Sequence, residues 1–477
     1  MTGPPRSEPR RHVVVAGGGI SGLAAAHHLA TAAEGTTVTL VEASDRLGGN
    51  IRTGPFGGVP VDEGADAFLA RTPEAVDLCR QLGLGHQLLA PATSSASVVV
   101  DGRVRRLPAG LVLGVPTNLR AVADAGVVSP TGLARAALDL VKGEDWSGTD
   151  ESIGTVMRRR LGDEVHEYLV DPLLGSINAG DTDRLSLEAS APQLAEVVRQ
   201  HRSIIAGLRE QRRQHPSDPA DPVFLGLPHG MEQLVAALTA ELARAADTEV
   251  ARSTSLQSLE LASTDGHGGL RLGLSDGRLL TADGLVLATP AHVAGELLAG
   301  SAPAARPYLA PMERASVVLV TMAFDRRQVA HPLDTSGVLV PVPEGRLMTA
   351  CSFGSSKWPH WTADPDRVVL RVSAGRHRDE RAMALDDDEL VDVLLGELAD
   401  LLGVAGPLLE WRVSRWPASF PQYAPGHLRR VAAATEELDR RLPTVALAGA
   451  AYRGIGIPAC IRQGRDAARR VLDRLAP

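Results

Sequence analysis

Cysteine, lysine and aromatic residues are scarce in this chain of 477 residues. The cysteines, Cys79, Cys351 and Cys460, lie far apart and form no CxxC pair, which argues against a disulfide framework and a metal site. Lysine occurs only at Lys142 and Lys357, so nearly all of the 49 basic residues are arginine. This bias fits GC-rich codon usage or a need for bidentate carboxylate recognition, and the sequence leaves both open.

Long apolar runs are also absent. No stretch approaches the roughly 20 apolar residues that a membrane-spanning helix needs. The N-terminal segment MTGPPRSEPRR has no apolar core, so it does not read as a secretory signal. The net charge of −8 argues against nucleic-acid binding. We therefore expect a protein of the cytoplasm, free or peripheral at a membrane, with two or three domains.

Residues 13–53 carry the most informative pattern. A β-branched run, Val13–Val15, enters a glycine turn, and an alanine- and leucine-rich helical stretch follows. A second apolar run, Val38–Val41, then ends in Glu42. This strand–turn–helix–strand order predicts a dinucleotide-binding fold.

The glycine turn has the spacing Gly17-x-Gly19-x-x-Gly22. Gly17 allows the tight turn, Gly19 lets a pyrophosphate approach the backbone, and Gly22 lets the helix pack on the sheet. The N–H groups at the start of that helix face the phosphates. Glu42 lies where a carboxylate accepts hydrogen bonds from an adenosine ribose and repels a 2′-phosphate, so NADP is not expected.

A second glycine pair follows in Asp45-Arg46-Leu47-Gly48-Gly49. It would bring the chain close to the cofactor again. The arrangement resembles the second flavin-binding motif of the FAD-dependent amine oxidase superfamily, and this resemblance favours FAD over NAD. Arg46 either pairs with a phosphate or is a solvated surface arginine. Asn50 stands where the second flavin motif of the amine oxidase superfamily commonly has arginine.

Segments typical of a cofactor domain recur far from the N-terminus. Gly226–Leu234 is a glycine turn that opens a helix, Leu279–Pro290 is a strand that ends at Thr-Pro, and Val445–Pro458 is a strand that leads into a glycine-rich turn. The sequence therefore predicts an α/β protein with a Rossmann-like FAD-binding domain assembled from discontinuous segments, and the intervening segments are expected to form the substrate side. The expected divisions are 1–11 as a disordered lead-in, 12–90, 216–300 and 416–477 as the FAD-binding parts, 91–215 as the substrate and helical subdomain, and 301–415 as the substrate domain.

Three further segments carry local predictions. Gln214–Pro222 is rich in proline and aspartate and reads as an exposed loop. Ala382–Leu402 predicts a surface helix with one buried face and an acidic start. Ala109–Val141 predicts a helical cap, a weak membrane-contact surface or, as the plainer alternative, a helical subdomain with its own small core.

Several motifs together resemble the protoporphyrinogen/coproporphyrinogen oxidase family of the FAD-dependent amine oxidase superfamily. They run nearly end to end and are, in chain order, GGGISGLAAAHHL, Glu63–Asp66 with Phe68–Pro73, Asp171–Leu174 with Ala179–Asp181 and Leu185–Leu187, Trp416-Pro417 with Pro421–Tyr423 and His427, and the closing AGAAYRGIGIPACIRQGRDAA. Within this family the chain is most similar to the bacterial coproporphyrinogen III oxidases. The family's fold implies, beside the FAD-binding domain, a mixed-sheet substrate domain and a helical subdomain of the cap or membrane type. Two positions depart from the family pattern, Asn178 for an aromatic residue and Ser373 for a tyrosine.

The resemblance implies a set of cofactor contacts and one substrate contact. Arg71 matches a basic position that meets a substrate propionate. The residues expected to bind FAD are Gly17, Gly18, Gly19, Ile20, Ser21, Gly22, Glu42, Arg46, Gly49, Glu63, Gly64, Ala65, Asp66, Leu256, Trp416, Ala450, Ile455, Gly456 and Ile457. No catalytic acid or base is assigned, because pyrrole N–H protons can leave to solvent or a carbonyl, and no metal is expected.

The resemblance also implies the reaction. This is the six-electron oxidation of coproporphyrinogen III to coproporphyrin III in heme biosynthesis, on CH–CH donors, with O₂ as acceptor and peroxide as product. Protoporphyrinogen IX oxidation is the runner-up, followed by a flavin amine oxidase, a carotenoid desaturase and a non-catalytic binding protein. The 3% aromatic content speaks against the aromatic cage of an amine oxidase. Docking on a ferrochelatase is a further expectation that the sequence leaves open.

Overall fold

The computed structural model describes residues 10–32, 35–214, 221–262 and 269–476. The strands are β1 (Arg11–Ala16), β2 (Thr36–Val41), β3 (Thr53–Phe56), β4 (Val59–Asp62), β5 (Phe68–Leu69), β6 (Ser97–Val100), β7 (Arg103–Arg106), β8 (Leu111–Val112), β9 (Val115–Pro116), β10 (Phe224–Leu225), β11 (Thr248–Ala251), β12 (Leu256–Leu261), β13 (Leu270–Leu274), β14 (Leu279–Ala282), β15 (Gly284–Leu287), β16 (Arg314–Asp325), β17 (Gly337–Leu339), β18 (Met348–Ser352), β19 (Arg367–Ala374), β20 (Glu410–Pro421) and β21 (Val445–Leu447).

The α-helices alternate with these strands along the chain. They are α1 (Ile20–Ala32), α2 (Pro73–Gln81), α3 (Leu119–Ala125), α4 (Pro130–Ala137), α5 (Asp139–Lys142), α6 (Ile153–Leu161), α7 (Asp163–Val165), α8 (Asp171–Asn178), α9 (Leu187–Ser190), α10 (Pro192–Gln200), α11 (Ile204–Gln214), α12 (Glu232–Arg244), α13 (Ala291–Leu298), α14 (Arg306–Leu309), α15 (Gly354–Lys357), α16 (Arg381–Ala384), α17 (Asp387–Leu402), α18 (His427–Arg441) and α19 (Ile457–Leu475). A single π-helical turn, His166–Val170, joins α7 to α8.

A five-stranded parallel sheet organises the first part of the molecule. Its strand order is β11-β2-β1-β15-β21, so the strands come from segments more than 150 residues apart in the chain. The central strand β1 pairs Val13 with Val38 on one side and with Gly284 on the other. Strands buried on both faces read as apolar runs, and β1 and β2 have that character. The predicted assembly of a Rossmann-like domain from discontinuous segments is confirmed.

Two apolar layers cover this sheet. On one face, α1, α12 and α19 pack over alternate strand residues, including Val13, Val15 and Val38. On the other face, the antiparallel sheet β12-β13-β14 and the helices α13 and α18 pack over the remaining residues, including Val14 and Leu285. The alternation follows from the two-residue period of a strand.

A seven-stranded mixed sheet organises the second part. Its order is β20-β16-β19-β18-β17-β6-β7, with antiparallel neighbours except for the parallel pair β17 and β6. Helix α17 covers one face through Leu390, Leu394 and Leu398. A separate apolar cluster builds a helical layer from α3 to α11, with Met157, Leu169 and Leu194 fully buried. Of the alternatives for Ala109–Val141, the structure has the helical subdomain with its own core.

Local boundaries differ from the sequence predictions. The predicted helix Ala382–Leu402 is two helices, because Asp386 is the N-cap of α17 and forms a capping box with Glu389. Val393, an apolar residue of this segment, is 43% exposed. Strand β1 begins at Arg11, inside the predicted lead-in 1–11, most of which lies outside the described residues. Most of the predicted loop Gln214–Pro222 also lies outside them.

The predicted domain division after residue 415 falls within a strand. Trp416 pairs with Val317 in the seven-stranded sheet, and β20 continues to Pro421. The start of the third FAD-binding part is therefore shared with the substrate sheet, while β21 and α19 belong to the parallel sheet. The other predicted divisions stay predictions. Within the described ranges, the structure contains no helix that is both long and apolar enough to cross a membrane.

Candidate active site

The glycine turn after β1 is packed against its neighbours at two of its three glycines. Gly17 has a positive φ of 108°, and an added Cβ would lie 2.6 Å from the carbonyl oxygen of Ala288. An added Cβ at Gly22 would overlap the carbonyl oxygen of Gly17. At Gly19, in contrast, the nearest atom is the Cα of Gly49 at 4.0 Å. The space above Gly19 is therefore open, and it faces a large cavity.

This cavity has a volume of about 950 Å³ and lies between the parallel sheet, the mixed sheet and α8. Its size is at the upper end of the roughly 300–1,000 Å³ typical of ligand sites. One half is lined by loops at the carboxyl ends of β1, β2, β15 and β21. The carboxyl edge of a parallel sheet is where such folds bind their ligands. The other half is lined by β16, β18, β19 and α8.

Glu42 lies at the end of β2 and lines the cavity. Its carboxylate accepts hydrogen bonds from the N–H of Gly18 at 2.6 Å and from the N–H of Ser44 at 2.8 Å. These bonds hold the glycine turn against β2. Arg46 is not among the residues that line the cavity, and its guanidinium donates to the carbonyl oxygens of Leu47 and Gly49 at 2.8 and 2.6 Å. The structure therefore gives Arg46 the role of bracing its own loop.

A buried charge cluster underlies the segment 64–67 of the cavity wall. One carboxylate oxygen of Asp66 accepts from Lys357 and from the indole N–H of Trp358, each at 2.8 Å, and forms an ion pair with Arg371 at 3.2 Å. Burial alone would raise the pKa of Asp66, but the charges of Lys357 and Arg371 outweigh it and lower the pKa below its usual range. Asp66 is therefore ionised, and the cluster carries one net positive charge.

Arg371 also fixes the backbone of this wall. It donates to the carbonyl oxygen of Gly64 at 3.0 Å and stands over the ring of Trp361 at 5.2 Å. Next to it, the indole N–H of Trp416 donates to the carbonyl oxygen of Glu63 at 2.8 Å. The carboxylate of Glu63 points elsewhere, toward Arg52 at 3.2 Å. Trp416 therefore lines the cavity, whereas the side chain of Glu63 supports the loop from behind.

The far half of the cavity contains arginines from the mixed sheet. Arg314, at the start of β16, and Arg376, just after β19, both line it. Arg376 lies 3.5 Å from the buried carboxylate of Asp171. Glu313 pairs with His377 and Arg378 rather than with its neighbour Arg314. In the part of the chain that the structure describes, Arg314 has no carboxylate partner and is a cation free to meet an anionic ligand.

The cavity fits a flavin dinucleotide by its own features. The open space above Gly19 is a cradle that any Cβ substituent would begin to fill. Among the described residues, the side-chain atoms Thr289 Oγ1 and His292 Nδ1 are buried at its wall without a hydrogen-bond partner. Buried polar groups without partners are rare in proteins, which indicates that a ligand supplies the missing bonds. Desolvation, followed by the charge of Arg314, lowers the pKa of His292, so its ring is neutral.

The structure brings most of the predicted cofactor residues to this one cavity. Those that line it are Gly17, Gly19, Ile20, Ser21, Glu42, Gly49, Gly64, Ala65, Asp66, Leu256, Trp416, Ala450, Ile455 and Ile457. Gly18, Gly22, Arg46, Glu63 and Gly456 are not among its lining residues. Of these, Gly22 and Gly456 shape the starts of α1 and α19.

The predicted substrate contact of Arg71 stays a prediction. Arg71 is exposed in the loop between β5 and α2, and it does not line the cavity. Of the two departures from the family pattern, Ser373 lines the cavity, whereas Asn178 is buried and donates to the carbonyl oxygen of Leu174 at 2.9 Å.

Several cavity residues were missed at the sequence level. Thr289 and His292 follow β15 directly, so the Thr-Pro end of the strand at Leu279–Pro290 could have indicated them. Arg314 and Arg376 carry no local signal, because each is one arginine among many. Their position follows only from the register of β16 and β19, which pair Val318 with Ala374.

Comparisons with known proteins agree with this geometry. Residues 20–472 match the model of the family described as flavin containing amine oxidoreductase. The chain is 34% identical to the coproporphyrinogen III oxidase of Bacillus subtilis (strain 168), over 97% of this chain and 98% of the relative. It is also 34% identical to the coproporphyrinogen III oxidase of Mycobacterium tuberculosis (strain ATCC 25618 / H37Rv), over 98% of each chain.

A solved structure extends the comparison to three dimensions. The crystal structure of a provisionally assigned protoporphyrinogen oxidase from Exiguobacterium sp. 255-15 superimposes with a TM-score of 0.85 and 30% sequence identity. The match covers 97% of this chain and 99% of the other. The predicted FAD cofactor and oxidoreductase class are confirmed. The chain belongs to the flavin containing amine oxidoreductase family, in its coproporphyrinogen III oxidase branch.

Proposed function

We propose that this protein oxidises coproporphyrinogen III to coproporphyrin III, with O₂ as the acceptor and peroxide as the product. The sequence relatives named for this activity support the proposal. The overall reaction is balanced, because the six hydrogen atoms that the substrate loses reduce three O₂ molecules to three H₂O₂. A bound flavin supplies the chemistry by accepting two electrons at a time, so three cycles are needed for each porphyrin.

The observation that carries the choice of substrate is the basic far half of the cavity. Coproporphyrinogen has four propionates and protoporphyrinogen has two, so the former gains more from cationic side chains. Arg314 is free of carboxylate partners among the described residues, and Arg376 is anchored by Asp171. An arginine fork matches a carboxylate with two parallel hydrogen bonds. Neutral apolar walls at Ile177 and Leu319 leave room for the tetrapyrrole itself.

The side chains that line the cavity would bind and orient the substrate rather than transfer protons. Arg314 and Arg376 would hold the propionates, while the wall from Gly64 to Ala67, fixed by Arg371, would hold the cofactor side. Holding a substrate carbon within roughly 3–3.5 Å of the acceptor is the main contribution that such a site makes. The partly apolar cavity also excludes water from the reacting atoms.

Purified protein should produce porphyrin fluorescence faster from coproporphyrinogen III than from protoporphyrinogen IX, in air and above a control without enzyme. Arg314→Gln should raise the KM for coproporphyrinogen by about tenfold, because one charge-assisted hydrogen-bond pair is lost, with little change in kcat. Arg306→Gln is the matched control, since Arg306 is 52% exposed and pairs with Glu296 on the surface.

Faster turnover of protoporphyrinogen would move the protein to the runner-up activity that the Exiguobacterium structure's name suggests. Rates equal to autoxidation for both substrates, from flavin-loaded protein, would reject porphyrinogen oxidation altogether. An unchanged KM in Arg314→Gln would reject this arginine as the propionate site and leave the activity itself standing.

Two finer expectations concern partners. A peripheral membrane contact and docking on a ferrochelatase stay predictions of the family resemblance. For a membrane contact, Leu138, Leu140 and Val141 around α5 are the side chains to examine, since Val141 is 83% exposed. Exposed apolar groups of this kind occur in contact surfaces.

A further inference from the structure

The loop between β21 and α19 forms the end of the cofactor half of the cavity. This segment, residues 449–456, is here called the C-terminal loop, and Gly449, Ala450, Ala451 and Ile455 line the cavity. Within the loop, one backbone hydrogen bond is formed, from the N–H of Tyr452 to the carbonyl oxygen of Gly449 at 3.3 Å. Since buried backbone groups need partners, side chains from outside must set the shape of this loop.

Tyr423 supplies two of those partners. Its hydroxyl donates to the carbonyl oxygen of Ala450 and accepts from the N–H of Gly454 at 3.0 Å. One oxygen atom therefore ties together both ends of the loop. The side chain is buried, and burial raises its pKa, so the hydroxyl keeps its proton. Its ring stacks on His427 with the ring centres 4.1 Å apart.

Two further side chains complete the support. His427 Nε2 donates to the carbonyl oxygen of Tyr452 at 2.9 Å. Gln463, on α19, accepts from the N–H of Arg453 at 3.1 Å and donates to the carbonyl oxygen of Gly454 at 3.2 Å. Gln463 is part of the helix that follows the loop, whereas Tyr423 and His427 approach from another part of the fold.

The position of Tyr423 is fixed independently of the loop. Its carbonyl oxygen accepts from the N–H of Ser186, in the helical layer, at 2.6 Å. Asp150 accepts from the hydroxyl of Ser186 and from the N–H of Gly426, each at 2.7 Å. The segment that carries Tyr423 is therefore anchored on the helical layer, and the hydroxyl transmits that anchor to the C-terminal loop.

We propose that Tyr423 is a positioning residue for the flavin: its hydroxyl holds the C-terminal loop in the shape that the cofactor half of the cavity requires. The hydroxyl bonds to the loop backbone and does not line the cavity itself. The role therefore concerns cofactor affinity and environment, whichever porphyrinogen the enzyme prefers.

The test compares Tyr→Phe variants of the full chain. Tyr423→Phe should raise the Kd of FAD for the apoprotein by about tenfold, since two hydrogen bonds to the loop are lost. It should also change the visible circular dichroism of the bound flavin. Tyr308→Phe is the control, because Tyr308 is 37% exposed on α14, and it should change neither quantity. Tyr452→Phe is a second control, since its buried hydroxyl has no partner among the described residues.

A Kd within about twofold of the wild-type value, with an unchanged flavin spectrum, would overturn the proposal. Should Tyr423→Phe fail to fold, hydrogen exchange of the wild-type apoprotein decides the question. The amide of Gly454, which donates to the Tyr423 hydroxyl, should then be protected, and exchange of this amide at the rate of an open loop would overturn the proposal. Both readouts are independent of the porphyrinogen, so failure of the proposed substrate leaves this test intact.

Discussion

Burial sets the charge state of single side chains around the cavity, and His427 shows the effect most clearly. Its ring is 1% exposed, and burial lowers its pKa to about 4. The hydrogen bond to Tyr452 partly opposes this shift, as does Asp150, while Arg430 and Arg453 reinforce it. The folded protein therefore keeps a neutral imidazole at a pH at which an unfolded chain already binds a proton.

This difference predicts a pH-dependent stability. Between pH 6.5 and about 4 the unfolded chain binds a proton at His427 that the folded chain does not, so stability falls as the pH falls. Each pH unit in that window costs at most about 1.4 kcal/mol. His427→Gln removes this contribution and keeps a donor for Tyr452. Urea unfolding of the two apoproteins gives the difference in free energy of unfolding between wild type and variant. This difference should decrease by about 2 kcal/mol between pH 6.5 and 5.

Other groups titrate in the same range and cancel in this comparison. Burial raises the pKa of Asp62 to about 6, which acts in the opposite direction, because the folded protein then holds the extra proton. Asp62 is present in both proteins, so its effect leaves the difference unchanged. A difference that stays constant from pH 7 to 5 would show that His427 is accessible to protons in the folded state.

At the scale of elements, helix packing depends on glycines whose surroundings differ. On α19, an added Cβ at Gly464 would overlap the carbonyl oxygen of Ser21 in α1, so the two helices meet backbone to backbone. On α17, Gly396 has no atom within 4 Å of an added Cβ. The same substitution therefore has opposite expected effects at the two sites.

Gly464→Ala should destabilise the protein by about 1–3 kcal/mol, because overpacking forces α1 and α19 apart. Gly396→Ala should stabilise it by about 0.4–1 kcal/mol, because alanine loses less conformational entropy in a helix. Urea unfolding of both apoprotein variants against wild type checks the pair. Equal effects at the two positions would contradict the close contact between α1 and α19.

Elements whose signal is contiguous could be predicted from the sequence. The turn at Gly17, Gly19 and Gly22 and the acid at Glu42 lie within one short stretch, so their role can be predicted from that stretch alone. Arg314 and Arg376 could not be found that way, because only the pairing of β16 with β19 brings them to one cavity. Arg71 stays a prediction for a related reason, since a motif match gives no direction for a side chain.

At the scale of the whole molecule, the cavity exists only when distant segments assemble. Its cofactor half takes residues from Gly17, Leu256, Thr289 and Ala450, and its far half takes Arg376 from the mixed sheet. The strand order of the parallel sheet reflects the same assembly, since the last strand β21 pairs with β15. A ligand that contacts all these segments is expected to stabilise the entire fold, because it binds the native state alone.

FAD should therefore raise the thermal unfolding temperature of the apoprotein. At a free concentration of a hundred times its Kd, it adds about 2.7 kcal/mol to the free energy of unfolding. NADP at the same concentration should not, since Glu42 at the end of β2 repels a 2′-phosphate. Gly19→Val is the matched variant. The apoprotein has room for the valine side chain, but that side chain would occupy the space that the cofactor needs. Its apoprotein should melt near the wild-type temperature and lose the response to FAD. A response that survives in Gly19→Val would place the dinucleotide elsewhere than above this glycine.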